Sequence, residues 1–221
     1  MIVCCIFQGM RPPRPSNFIT NHIYLSHNND YDRNVEKLCE RATLHNKRVM
    51  LITSRKYPLP REHDGRQTAS KGRISVCRLI DIEATPQQLL DLHDGYQPFH
   101  GLPDLIIFDL HSIIAEVLQR PVMQQCSTDK LVRHIAKCSA AFANYRELVC
   151  NEWLVAGEGG KSVTENGSHG VDTIVVMSQE SYPMTPAQFK LLMGLYFWGN
   201  ECYTSFSKLS AQISISQGLT A

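Results

Sequence analysis

Two stretches of this chain carry residues whose type and spacing could do chemistry. Leu105–Asp109 (LIIFD) is an apolar run ending in an aspartate, the pattern of a buried strand whose last residue reaches a magnesium ion. The second is Gly9-Met-Arg-Pro-Pro-Arg-Pro-Ser16, which can be laid against the phosphate-binding pattern Gly-x-x-x-x-Gly-Lys-[Ser/Thr]. Gly9 and Ser16 stand at the required spacing, while the inner glycine and the lysine are replaced by Arg14 and Pro15. Such a loop holds phosphates with consecutive backbone N–H groups. Pro12, Pro13 and Pro15 have none to offer. Arg14 could restore the lost charge but not its position, and Ser16 keeps only the hydroxyl that would ligate magnesium. The expectation is a phosphate-loop frame without its grip, and hence no tight nucleotide binding.

Asp109 itself has two readings. It could cap the turn that opens Ser112–Val117, or mark a relic metal-ligand position, which its place after the fourth strand–helix unit favours. A decoy lies at Val155–Ser162 (VAGEGGKS), which ends in Gly-Lys-Ser but lacks the leading glycine and is followed by a poor helix-forming stretch. We read it as a hairpin loop. Between Arg55 and Arg78 lie seven basic residues against Glu62 and Asp64. Tyr57 is the lone aromatic among them, so base stacking is not expected there. The segment is either a solvated loop or a phosphate-contacting one, and the contact candidates are Arg61, Arg66, Lys71 and Arg73. Nine histidines and eight cysteines show no metal spacing, so no metal site is expected. Near the end, Pro186–Cys202 is apolar on almost every side. It either belongs to the domain's own core or docks a partner through Leu192, Leu195, Phe197 and Trp198.

The elements that must position these residues follow from hydrophobic patterning. Strands are expected at Ile2–Phe7, Val49–Thr53, Ile74–Ile80, Leu105–Leu110, Glu147–Ala156 and Val171–Met177. Helical patterns occupy Phe18–Arg41, interrupted by Ser26–Asp32, then Gln87–Leu92 behind a Thr85-Pro86 start, and Ser127–Tyr145. Alternation of the two predicts an α/β fold with a mostly parallel sheet covered on both faces. With 221 residues and 43% hydrophobic content, one core suffices, divided here into 1–181 and an apolar terminal segment, 182–221, of the same domain or for docking. The net charge of +1 gives no global attraction to nucleic acid. Cysteines scattered without Cys-x-x-Cys pairs suggest reduced thiols, and no run approaches a membrane span.

The order of these elements resembles the RecA-family recombinase core. In particular it is similar to the divergent paralogues that pair with a SWIM-domain zinc protein in the Shu complex, the SWIM-associated ATPases. The likeness covers about residues 1–150. It rests on Arg48–Arg55 (RVMLITSR) followed by Pro58–Pro60, on Arg73–Arg78 (RISVCR), on Thr85–Leu90 (TPQQLL) and on Leu102–Leu110 (LPDLIIFDL). The resemblance implies a P-loop-type fold in which Asp109 matches the magnesium-associated aspartate. It also places Arg55 at or near the position of the family's water-activating glutamate, where a cation cannot act as base. The implied function is a non-hydrolysing scaffold that forms a heterodimer with a SWIM-domain protein. It would support recombinase filaments on single-stranded DNA during homologous-recombination repair in the nucleus. No cofactor is expected; ATP and magnesium enter only if the chain is instead a divergent ATPase using Arg14 and Ser16, or the 155–162 loop, with Asp109. A third alternative is an unrelated Rossmann-like metabolic domain, against which the lack of Gly-x-Gly-x-x-Gly argues.

Overall fold

In the computed structural model the described residues are 21–26, 31–56, 73–79, 81, 83–95, 102–120, 127–158, 171–178, 183–197 and 201–215. The expected strand Ile2–Phe7 and the loop bearing Gly9, Arg14 and Ser16 lie outside them. So do Arg61, Arg66, Lys71, Lys161 and Trp198.

Six strands form one all-parallel sheet: β1 (Asn21–Ser26), β2 (Val49–Thr53), β3 (Ile74–Arg78), β4 (Leu105–Asp109), β5 (Asp172–Ser178) and β6 (Glu201–Tyr203). Their spatial order is β3-β2-β4-β5-β1-β6, and every neighbouring pair runs parallel. The fold is therefore α/β, of the kind built by RecA-like and Rossmann-type domains. β2 and β4 are buried at every position, as unbroken apolar strands covered on both faces must be.

The pleat divides these strands between two cores. On one face Met50, Ile52, Ile106, Phe108, Val175 and Met177 meet α2 (Thr85–Gly95), α3 (Leu110–Gln119), α4 (Thr128–Glu158) and α5 (Pro186–Tyr196). Phe108 stacks on Phe142 of α4 with ring centroids 4.1 Å apart. On the other face Val49, Leu51, Leu105, Ile107, Ile174 and Val176 meet α1 (Tyr31–Leu44) and α6 (Phe206–Ile215). In α1 the spacing of Val35, Leu38, Cys39 and Ala42 does what it promises, placing all four inside.

Two expected elements are corrected. The segment Phe18–Arg41 is not helical throughout: Asn21–Ser26 is β1, held between β5 and β6 with His22, Ile23 and Tyr24 all buried. The expected strand Glu147–Ala156 is the continuation of the 31-residue α4. Leu131, Ile135, Cys138, Phe142, Tyr145 and Val149 recur every three or four residues and are all buried, so the helical period outweighs the local β-propensity of the later turns. A smaller difference concerns Thr85, which is the first residue of α2 and donates its hydroxyl back to the Asp81 carbonyl at 2.9 Å. Asp81 closes an Asx turn ahead of the helix by accepting from Glu83 N at 3.0 Å. The C-terminal segment joins the same sheet through β6, which pairs with β1.

Candidate functional site

All strands being parallel, their carboxyl ends share one edge. From β2 the chain goes outward to β3, and from β4 it goes the opposite way to β5, so the crevice between the ends of β2 and β4 is the topological switch point. Open α/β sheets place their ligands there. In this protein the crevice is occupied by the protein's own side chains.

Asp109, the last residue of β4, is buried and caps α3: its Oδ1 accepts from Ser112 N at 2.9 Å. Its Oδ2 accepts from Thr53 Oγ1, the last residue of β2, at 2.7 Å. Thr53 Oγ1 in turn accepts from Arg55 N at 3.2 Å. Ser112 Oγ donates to the Asp109 carbonyl at 2.9 Å and accepts from Ser54 N at 3.0 Å. The two hydroxyls stand 3.1 Å apart, and the knot ties β2 to the start of α3. Burial pushes the Asp109 carboxyl up to about 7, and the Ser112 hydrogen bonds offset this in part. A carboxyl with that affinity suits acid–base chemistry. Its hydroxyl partner Thr53 is as deeply buried as Asp109 itself.

Outside the knot, the Arg55 guanidinium carbon lies 4.9 Å from the centroid of the Tyr31 ring, at the start of α1. The Tyr31 ring meets the His111 ring at 4.2 Å, tilted by 52°. Arg78, at the end of β3, donates from Nε to the Ser54 carbonyl at 3.4 Å. The hydroxyls of Tyr31 and Ser54 are buried and have no hydrogen-bond partner among the described residues. Among the described residues, no group of three His, Cys, Asp or Glu side chains could hold a metal ion, and no helix is long and apolar enough to cross a membrane.

The other candidates are dispersed. Arg73 sits at the opposite, amino edge, where its carbonyl accepts from Val49 N and its Nη1 donates to Asn46 Oδ1 at 2.9 Å. Asn46 adopts the left-handed conformation (φ 60°) that ends α1. Arg73 thus braces a turn, about one strand length from the switch point. In α5, Leu192 and Phe197 belong to the core, whereas Leu195 is 44% exposed and its neighbour Leu191 62%. The apolar segment is therefore divided between core and surface. Residues 155–158 of the decoy loop are the end of α4, so no strand precedes the Gly-Lys-Ser.

Sequence reasoning missed Thr53, Ser54 and Tyr31. One signal was present: Asp109 with Ser112 three residues on is the spacing of a capped helix start. No local signal joins Thr53 to Asp109, 56 residues away, because only the β2–β4 register brings them together. Comparison with known proteins assigns no family: no protein-family model and no curated protein matches the chain.

Proposed function

We propose that this protein is a non-hydrolysing RecA-like scaffold. In this reading it pairs with a SWIM-domain protein and supports recombinase filaments on single-stranded DNA in homologous-recombination repair in the nucleus. The observation that carries the non-hydrolysing part is the filled switch point. The Asp109 carboxyl oxygens are taken up by Thr53 and Ser112, and the end of β2 presents Arg55, over Tyr31, where the resemblance expects a water-activating base. A guanidinium cannot accept a proton from water. The pairing and the DNA role rest on the resemblance of Arg48–Arg55, Arg73–Arg78, Thr85–Leu90 and Leu102–Leu110 to the recombinase paralogues.

The exposed part of α5 is the place where such a partner would dock. Leu191 and Leu195 lie one helical turn apart, and a Cβ built on Gly194 between them meets nothing within 4 Å. Leu195→Asp is expected to abolish co-purification of a SWIM-domain partner from cells. Because Leu195 is half exposed, thermal unfolding of the isolated chain should stay cooperative and shift by less than the equivalent of about 0.5 kcal/mol. Retention of the partner by this variant would place the interface elsewhere, and recovery of a metabolic complex in its stead would end the reading.

A further inference from the structure

The basic segment 55–78 does not account for the most concentrated free positive charge among the described residues, which lies on α4. Leu131, Ile135, Cys138 and Phe142 turn one stripe of this helix into the core, and the opposite stripe carries Lys130, Arg133 and Lys137, all exposed. Spacings of three and four residues put the three on one face, spread over about 10 Å of helix axis. None of their side chains has a hydrogen-bond or ion-pair partner among the described residues.

Asp91 of α2, the helix packed against α4, accepts from Gln87 Nε2 at 2.7 Å. Asp129 alone offsets the three cations within the first three turns of α4. Lys130 lies in the first turn, where a cation opposes the helix dipole, and the acids Glu147 and Glu152 lie toward the other end. The dipole disfavours Lys130 at its position, and no acid of the described residues pairs with any of the three side chains.

The geometry points to a surface for the phosphate backbone of a nucleic acid along Lys130, Arg133 and Lys137. A row of cations at regular spacing suits a polymer with one negative charge per repeat. Ala140 and Asn144 continue the face, and no large apolar side chain lies on it between Lys130 and Asn144, so it has nothing to insert into an anionic membrane. It also presents no aromatic ring for bases, so contact is through phosphates and independent of sequence. This inference rests on the nucleic-acid half of the function proposed above, and adds the surface that makes the contact.

The test compares the full chain, a Lys130→Ala/Arg133→Ala/Lys137→Ala variant, and an Arg61→Ala/Arg66→Ala/Lys71→Ala/Arg73→Ala variant. Fluorescence anisotropy reads binding to an oligothymidylate from about 50 to about 200 mM potassium chloride, a range over which each phosphate contact contributes about 0.7 to the log–log slope. The α4 variant is expected to bind at least about tenfold more weakly at the low-salt end and to show a slope about two units flatter. Its thermal unfolding should be unchanged, since all three side chains are exposed. An unchanged slope in the α4 variant overturns this surface while leaving the DNA role standing, with the 55–78 variant showing whether the contacts lie there. Absence of binding by the unaltered chain overturns the DNA role and this surface together. Tighter binding to phosphatidylserine vesicles than to the oligonucleotide, lost in the α4 variant, would replace the nucleic acid by a membrane.

Discussion

The two edges of the sheet handle charge in opposite ways. At the amino edge Lys47 pairs with Asp172 across 125 residues, and Arg48 grips Asp104 through two guanidinium nitrogens at 3.0 and 2.9 Å. Backbone bonds from Asp104 N to the Arg48 carbonyl and from Asp172 N to the Asp104 carbonyl tie the same residues again. At the carboxyl edge Asp109 is more deeply buried than any of these carboxylates, yet its partners are hydroxyls and an amide, and no cation among the described residues holds its proton affinity down. Arg55 lays its guanidinium over the Tyr31 ring. The amino edge has the chemistry of a clamp. The carboxyl edge has the position of a binding site but is closed by its own side chains, and that contrast is why we assign it to structure and not to hydrolysis.

The largest effect should come from the clamp. Lys47→Met leaves Asp172 mostly buried without its partner, which costs about 3 kcal/mol on the scale of broken buried pairs. Urea unfolding measures it directly. A cost below about 1 kcal/mol would reduce this pair to the rank of a surface ion pair and erase the contrast between the edges.

Asp109 should respond next. Asp109→Ala removes the acceptor for Ser112 N and for the Thr53 hydroxyl, at a cost of about 2 kcal/mol for a lost cap and stranded donors. The pH dependence has a definite sign. A carboxyl whose folded pKa is raised to about 7 from an ordinary 3.8 holds its proton better in the native than in the unfolded state. Its contribution to stability is therefore fully present below about pH 4 and falls as pH rises to about 7. Asp109→Asn, which carries no titrating proton, should flatten that decline in urea titrations while leaving repair function in cells intact. A decline of equal steepness in the variant would assign the pH dependence to another group. A repair defect at normal abundance would show that the carboxylate still handles a metal or nucleotide.

Much of the scaffold was legible because it rests on local patterns. The unbroken apolar runs of β2 and β4 and the spacing of Val35, Leu38, Cys39 and Ala42 in α1 each announce their element without help from the rest of the chain. β1 did not: its apolar run is only Ile23-Tyr-Leu25, behind Asn21-His22, and two flanking parallel strands make it a strand. The later turns of α4 misled for the converse reason, since Leu148-Val-Cys150 and Trp153-Leu-Val155 have strand composition but continue a helix that began at Thr128. At the site, Asp109 was visible as a strand end, and capping was one of its two readings. Its coupling to Thr53, and Arg55 lying over Tyr31, depend on strand register and helix packing, which no short window of sequence contains.

Mg·ATP titrated into the full chain by calorimetry tests the closed carboxyl edge most directly. With Thr53 and Ser112 filling the switch point, and no lysine in the Gly9–Ser16 loop, the expected dissociation constant is weaker than about 1 mM, a binding free energy short of about 4 kcal/mol. Micromolar binding, lost on Asp109→Asn or on Lys161→Ala, would contradict the account and return the protein to the nucleotide-binding class.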